Sequence, residues 1–252
     1  SAALLVYETT PARQVDLFQR DLAQPGQTAL QIAAVNLGTA DVTIAVETTP
    51  EAPLTGGAGR LTLSVPAGGT SAWQVEPGPL DGLQQPARLR INATWPGGQR
   101  QAWAEVRPFF LNSRLILDAD EDGKPDYWQA GGTTAAVEHG LEDGAVVVVG
   151  KPKEFQYLNQ HVTLEPRTTY RFAGWIRRSA PSAQVSIAVV EFIGERGLSV
   201  HRLGDDETAP ADTWQRFEKT FTTGGDFRAS AVYLYNVHSE VKAWYRDLEL
   251  EK

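Results

Sequence analysis

Apolar and polar residues alternate through most of this chain. In TALQIAAVNLG, DVTIAVETT, GRLTLSVPAG, SAWQVE, ARLRINATW and QAWAEVRPFF, every second or nearly every second position is apolar. A period of two belongs to a strand with one buried face, because successive side chains of an extended backbone point to opposite sides. Clusters rich in Gly and Pro (LGTAD, PEAPLTGGAG, PAGGT, EPGPLDG, PGGQ) separate these segments in the rhythm of an antiparallel sandwich. Past residue 111 the same grammar continues in longer strands: GAVVVVG, FQYLNQHVTL, TTYRFAGWIRR, AQVSIAVVEFIG, TWQRFEKTFTT, ASAVYLYNV and KAWYRDLEL. Helical periodicity is nearly absent. The pattern predicts an all-β protein of two β-sandwich domains, residues 1–111 and 112–252, with all six Lys in the second. No fixed-period repeat relates the halves, which argues against a solenoid or propeller.

Composition narrows the classes. With 252 residues, 42% hydrophobic and 21% charged, the chain can bury a core in each of two ordinary domains. It has no Cys, so thiol catalysis, disulfides and thiolate metal sites drop out together. No apolar run approaches the roughly 18 residues of a membrane helix, and the start SAALLVYETT lacks the basic and apolar regions of an export signal. A net charge of -8 argues against a nucleic-acid partner, since phosphate recognition needs a clustered basic surface. Neutral ligands or cations fit better.

Candidates for catalysis are few. His139, His161, His201 and His238 are scattered, with no metal-ligand spacing, and there is no G-x-S-x-G elbow. Glu191 and Glu195 flank a short turn in VVEFIGERG. Glycoside hydrolysis uses carboxylate pairs, but Glu on a strand ending in a turn is ordinarily a surface residue, so no catalytic residue is predicted.

Binding has better support, because sugar recognition rests on exposed aromatic faces with a few hydrogen-bonding groups around them. In TTYRFAGWIRR, alternation puts Tyr170, Phe172 and Ile176 on one face and Arg171, Trp175 and Arg177 on the other; the first is the more apolar and reads as core. Likewise Tyr233 and Tyr235 oppose Val232 and Leu234, while Asn159 and His161 oppose Leu158, Val162 and Leu164. The predicted cleft set is Trp175, Tyr235, His161 and Asn159, with Arg177 and Glu191 as polar partners. The alternative is burial, with Trp175 capped by neighbouring loops and Tyr235 packed beneath the first domain. Trp73, Trp95 and Trp103 read as sandwich core or filler.

The stretch DADEDGKPDYW, residues 118 to 128, concentrates acids on a turn. Counted as a calcium loop, Asp118, Asp120 and Asp122 hold positions one, three and five, Gly123 six, Lys124 seven through its carbonyl, and Asp126 nine. Gln129 stands where the bidentate Glu of an EF-hand belongs, and strands rather than helices flank the loop, so it is not an EF-hand. Its alternating carboxylates still suit a hard cation; the alternative is a solvated acidic turn.

From Leu115 onward the order of signals resembles the jelly-roll carbohydrate-binding modules of families 4, 9 and 22, which have a galactose-binding-like fold. DGKPDYW is similar to their first-strand exit, YLNQHVTLEPRTTYRFAGWIRR to their Gln, strand, Pro-turn and W-x-R run, DTWQRFEKTFTT to their W…F-T strand, and AWYRDLEL to their closing strand. Two departures stand out: RLILDADED replaces the usual N-G-D-F-E, and Arg246 replaces the first Asp of the closing pair. The resemblance implies a structural calcium held by the acidic first segment and the closing Asp, here Asp247, without choosing among Asp118, Asp120 and Asp122. The first half more loosely resembles the immunoglobulin-like or fibronectin-like accessory domains of secreted bacterial enzymes. Together these imply an immunoglobulin-like sandwich followed by a jelly roll. The expected role is non-catalytic: a monomeric fragment of a larger secreted protein that binds a polysaccharide or oligosaccharide beside a catalytic domain of the same chain, with no nucleic-acid or membrane partner. A structural or protein-contacting spacer without sugar binding is the competing expectation.

Overall fold

A computed structural model describes residues 2–7, 30–36, 39–76, 83–106, 110–133, 139–193, 196–205, 208, 210–237 and 240–252. These residues form seventeen strands and no helix, so none among them is long and apolar enough to cross a membrane. The chain divides into two units, Ser1–Phe109 and Phe110–Lys252. His238 and Glu195 lie outside the described residues.

The first unit has two antiparallel sheets. One is ordered β1 (Ala2–Tyr7), β2 (Leu30–Asn36), β5 (Thr70–Val75); the other β4 (Gly59–Val65), β3 (Val42–Pro50), β6 (Ala87–Trp95), β7 (Gly98–Val106). Alternation decides what is buried. Ala87, Leu89, Ile91 and Ala93 of β6 join Ile44, Val46, Val65 and Val106 in one core, with Trp73 and Trp95 packed against it. Trp103, expected as core or filler, is instead 51% exposed, and its indole donates to Glu51 at 3.3 Å.

The second unit has two five-stranded antiparallel sheets. The first is ordered β15 (Gln215–Thr222), β12 (Thr169–Arg178), β17 (Lys242–Glu251), β10 (Ala145–Val149), β9 (His139–Glu142). The second is ordered β14 (Arg196–Leu203), β13 (Val185–Ile193), β16 (Ala229–Val237), β11 (Phe155–Val162), β8 (Gln129–Gly132). The short strands β8 and β9, and β14, were not among the sequence segments read as strands; QAGG and HGLE are too short and too rich in Gly to show a period. Between the sheets lie Tyr170, Phe172 and Ile176 of β12, as alternation predicts, with Val146, Val148 and Tyr245 opposite Leu158, Ile187, Val189, Val232 and Leu234, all essentially buried. The Tyr245 hydroxyl crosses this core to the Tyr235 carbonyl at 2.5 Å. Burial raises its pKa far above the ordinary phenol value, so it stays a neutral donor.

Where β12 meets β17 the register shifts between Ala173 and Trp175, so that Gly174 faces two residues, Asp247 and Leu248. Asp247 takes the extra position with φ 47. Gly174 leaves room there for two side-chain ends: a Cβ would lie 2.6 Å from Ile187 Cδ1 and 2.7 Å from Leu248 Cδ2, and both would have to shift.

The segment leading into the second unit is tied down by side-chain amides acting as backbone substitutes. Gln160 accepts from Leu111 N and donates to Leu111 O, each at 2.9 Å. Asn112, fully buried with φ 45, accepts from Ile116 N and Leu117 N at 3.1 Å and donates to Leu117 O at 2.8 Å and Asp126 O at 3.1 Å. Asn tolerates the left-handed region better than most residues, and all four of its hydrogen-bonding sites are used. Replacing Asn112 by Ala takes the side-chain partner from the Ile116 and Leu117 amides and the Asp126 carbonyl, while Leu117 O keeps the Asp126 amide at 2.7 Å. Chemical denaturation should show the second unit destabilised by roughly 2 to 4 kcal/mol.

Candidate functional site

The outward face of the second sheet of unit 2 is not polar, as a solvated face would ordinarily be. Register places Tyr157 opposite Tyr235, and Asn159 opposite Tyr233, so these side chains share the face away from Leu158, Val232 and Leu234. Five aromatics meet there. Tyr233 and Tyr235 stack at 4.9 Å and 13°, Tyr157 meets Tyr233 edge-on at 5.1 Å, Phe155 meets Tyr235 at 5.2 Å, and Phe192 meets Tyr233 at 6.3 Å. Ala188 and Val190 of β13 are the small residues beneath this cluster. Gly131 of β8 leaves the space that the Tyr157 ring fills, since a Cβ there would stand 2.5 Å from Tyr157 Cζ and Oη. Burial is the main cause that raises the pKa of both the Tyr233 and the Tyr235 phenols, which keeps them neutral donors well past pH 7.

Polar groups border the aromatics. One transverse row of cross-strand partners runs Gln129, Asn159, Tyr233, Ala188, Arg202. Gln129, His161 and Arg202 are exposed, whereas Asn159 is largely buried. The Arg202 guanidinium lies 5.6 Å over the Tyr235 ring.

Of the six residues expected to form one cleft, this face brings together Tyr235, Asn159 and His161. Trp175 and Arg177 lie on the outward face of the other sheet, as alternation along β12 predicts, so they do not share a surface with the tyrosines. There they join an alternating stack. Arg246 lies over Trp175 at 5.7 Å and Trp214 at 4.2 Å, and Arg177 over Trp214 at 5.2 Å and Trp244 at 4.3 Å. The residue that replaces Asp in the closing strand is thus a cation between two indoles. Glu191, expected as a surface residue and polar partner of the cleft, is fully buried and points between the sheets. Its carboxylate accepts from Gly224 N at 2.8 Å and pairs with His201 Nε2 at 2.9 Å. Tyr157, Phe155 and Phe192 escaped the sequence reading; the alternation Phe155, Tyr157, Asn159, His161 was a usable signal, but which sheet faced solvent was not visible.

The acidic loop folds on itself. Asp118 accepts from Asp122 N at 3.1 Å and Gly123 N at 2.9 Å, and Asp126 accepts from Ala119 N at 3.3 Å. Asp118, Asp120 and Asp126 each bring a carboxylate oxygen within 4.8 Å of the others. Asp122 turns instead to Lys124, whose ammonium lies 2.5 Å away and lowers the Asp122 pKa. Asp247 does not join the carboxylate group; its oxygen lies 3.6 Å from Arg246 Nε, and the closing strand reaches the first segment through Leu248 N to Ser113 O at 2.8 Å.

Residues 115–239 match the family model described as "Carbohydrate binding domain", which spans families 4 and 9. The matched residues lie within the second unit and make up just under half of the chain. Among solved structures, a family 4 carbohydrate-binding module is 14% identical, covers 56% of this chain and 97% of its own, and has a TM-score of 0.42. A family 61 module in complex with β-1,4-galactotriose is 17% identical over 58% of this chain and 99% of its own, TM-score 0.38. The family 22 xylan-binding domain from Paenibacillus barcinonensis is 10% identical over 52% and 88%, TM-score 0.38. No curated protein matches the chain.

The acidic loop suits calcium in its chemistry. Three carboxylates on alternate or nearby positions converge, and all donors are hard oxygens. Calcium takes about six to eight ligands, so backbone carbonyls or water would complete the shell.

The aromatic face has its own check. Gly131→Ala forces the Tyr157 ring aside; thermal or chemical unfolding should register a loss of about 1 to 3 kcal/mol, and NMR should show shifted ring resonances for Tyr157 and its neighbour Tyr233.

Proposed function

We propose that the chain binds a polysaccharide or oligosaccharide without turning it over, and that the sugar lies on the outward face carrying Tyr157, Tyr233 and Tyr235. The observation that carries this reading is the placement of five aromatic rings on the solvent side of a sheet whose core is already filled by aliphatic residues. Pyranose rings offer flat C–H faces to such rings, and Gln129, Asn159 and His161 lie within the same surface as hydrogen-bonding groups. Glu191, the carboxylate nearest in sequence to a catalytic pair, is engaged by His201 and Gly224 N inside the sandwich, which supports a binding role over hydrolysis.

The wider setting belongs to the same proposal. The chain is a monomeric part of a larger secreted protein in which a catalytic domain acts on the polymer that this one holds, and residues 1–111 serve as an immunoglobulin-like spacer. Holding the enzyme on its substrate raises local concentration without chemistry of its own. A structural calcium sits on Asp118, Asp120 and Asp126, with Lys124 contributing its carbonyl; Asp122 and Asp247 stand outside this set.

A second reading, a spacer that contacts protein rather than sugar, draws on one observation. Tyr235 is only 7% exposed, and the rings pack partly on one another rather than lying open. Affinity electrophoresis of the full chain against soluble polysaccharides separates the two. Tyr233→Ala should weaken retention by about 1 to 3 kcal/mol, by analogy with other aromatic stacking platforms, with a small change in melting temperature. Unchanged retention would move the site off this face, and retention by no glycan would favour the spacer.

The calcium proposal is read by melting temperature. If the ion binds the folded state alone, calcium at about 100 times its Kd adds roughly 2.7 kcal/mol. EDTA should lower the melting temperature of the second unit, Asp120→Asn should reproduce that loss, and Asp247→Ala should leave the EDTA response intact. No response to EDTA would leave the loop an acidic turn.

A further inference from the structure

We infer that the sugar held on this face carries a carboxylate, and that Arg202 reads it; the inference rests on the glycan-binding proposal above. Arg202 stands on β14, cross-strand from Ala188 of β13, while Tyr235 belongs to β16 beyond it. To lie 5.6 Å over the Tyr235 ring the guanidinium must therefore cross β13 and reach into the aromatic cluster. Alanine at 188 leaves that path clear.

Charge is divided unevenly between the two sheets. On β8, β11, β13, β14 and β16 the one carboxylate is Glu191, and it points inward. The opposite sheet carries Glu142, Glu218, Asp247, Glu249 and Glu251 on its strands. There four of the five strand arginines are matched: Arg171 and Arg216 share Glu218 and Glu249, Arg177 pairs with Asp143, and Arg246 with Asp247, while the buried Arg178 donates to the Gly204 carbonyl. Among the described residues no carboxylate pairs with Arg202. An exposed cation, set in an aromatic face within a chain of net charge -8, lacks the counter-charge that the exposed and half-buried arginines of the opposite sheet have.

A guanidinium resting on a ring by one face keeps its edge N–H groups free, and their planar fork matches a carboxylate. The Tyr233 ring lies next to Tyr235 at 4.9 Å. A hexuronate stacked on Tyr233 would thus direct its carboxylate toward the guanidinium. Repulsion from the rest of the acidic chain is screened beyond about 8 Å at physiological salt, so the local cation dominates at contact.

The test uses the full chain and paired polymers: alginate, pectate and glucuronoxylan, each beside its carboxyl-reduced form, with a sulfated galactan as a further arm. At least one uronate polymer should bind, and its reduced form should bind about ten-fold or more weakly. R202Q should bind both forms alike, at the level of the reduced one, and R202K should recover only part of the difference, because it keeps the charge without the fork. Equal binding of native and reduced polymers, still lost in Tyr233→Ala, would overturn the carboxylate assignment while leaving the glycan-binding proposal standing. Binding confined to the sulfated chain would also overturn it. Failure of every polymer, acidic and neutral, would overturn the glycan-binding proposal itself.

Discussion

Register between β11, β16 and β13 governs the second unit. The strands are antiparallel with directly opposed partners, so the side chains sort onto two faces with a period of two. Leu158, Val232, Leu234 and Ile187 go inside, while Tyr157, Tyr233, Tyr235 and Ala188 go outside. A slip of one residue would exchange the sets, placing phenols in the core and aliphatics in water. The Tyr245 hydroxyl helps hold this arrangement by binding the Tyr235 carbonyl from the opposite sheet. The aromatic face and the core are therefore two consequences of one pairing.

Arginine meets aromatic rings on both sides of the sandwich, with different outcomes. On the first sheet, Arg246 and Arg177 interleave with Trp175, Trp214 and Trp244, and acids stand beside both cations. Two guanidinium groups lie against Trp214, so these cations find both ring and acid partners within the protein. On the second sheet a single guanidinium rests on Tyr235, while Tyr157 and Tyr233 remain half-exposed. The two places differ in local charge balance: acids pair with the cations on the first sheet, and among the described residues none pairs with Arg202 on the second.

The acidic loop depends on a third kind of interaction. Asn112 holds Leu117 and Asp126 at the two ends of the loop from within, and Asp118 caps the turn at Asp122 and Gly123. This framework of hydrogen bonds within the chain sets which carboxylates converge. Lys124 takes Asp122 out of the group by proximity in sequence, and the left-handed bulge at Asp247 turns that carboxylate toward Arg246.

Sequence alone determined the all-β class and, on strands such as β12 and β16, the side that faces the core. Both follow from period-two alternation, which is local: Tyr170, Phe172 and Ile176 against Arg171, Trp175 and Arg177, and Leu234 against Tyr233 and Tyr235, sort as the pattern predicts. Chain order also carried the family, because turn and strand signals from DGKPDYW to AWYRDLEL occur in sequence. Tertiary structure decided which outward faces belong together. Trp175 and Tyr235 are both outward, but one lies on β12 and the other on β16, in different sheets, and alternation says nothing of which strands pair. Short Gly-rich β8 had no period to read, yet its Gly131 shapes the place of Tyr157. Glu191 looked like a surface acid because its partners, His201 and Gly224 N, come from other segments and offset the cost of burying it. Asp247 was separated from the acidic loop by a one-residue bulge, and a bulge arises from the meeting of two strands, which neither strand's own sequence records.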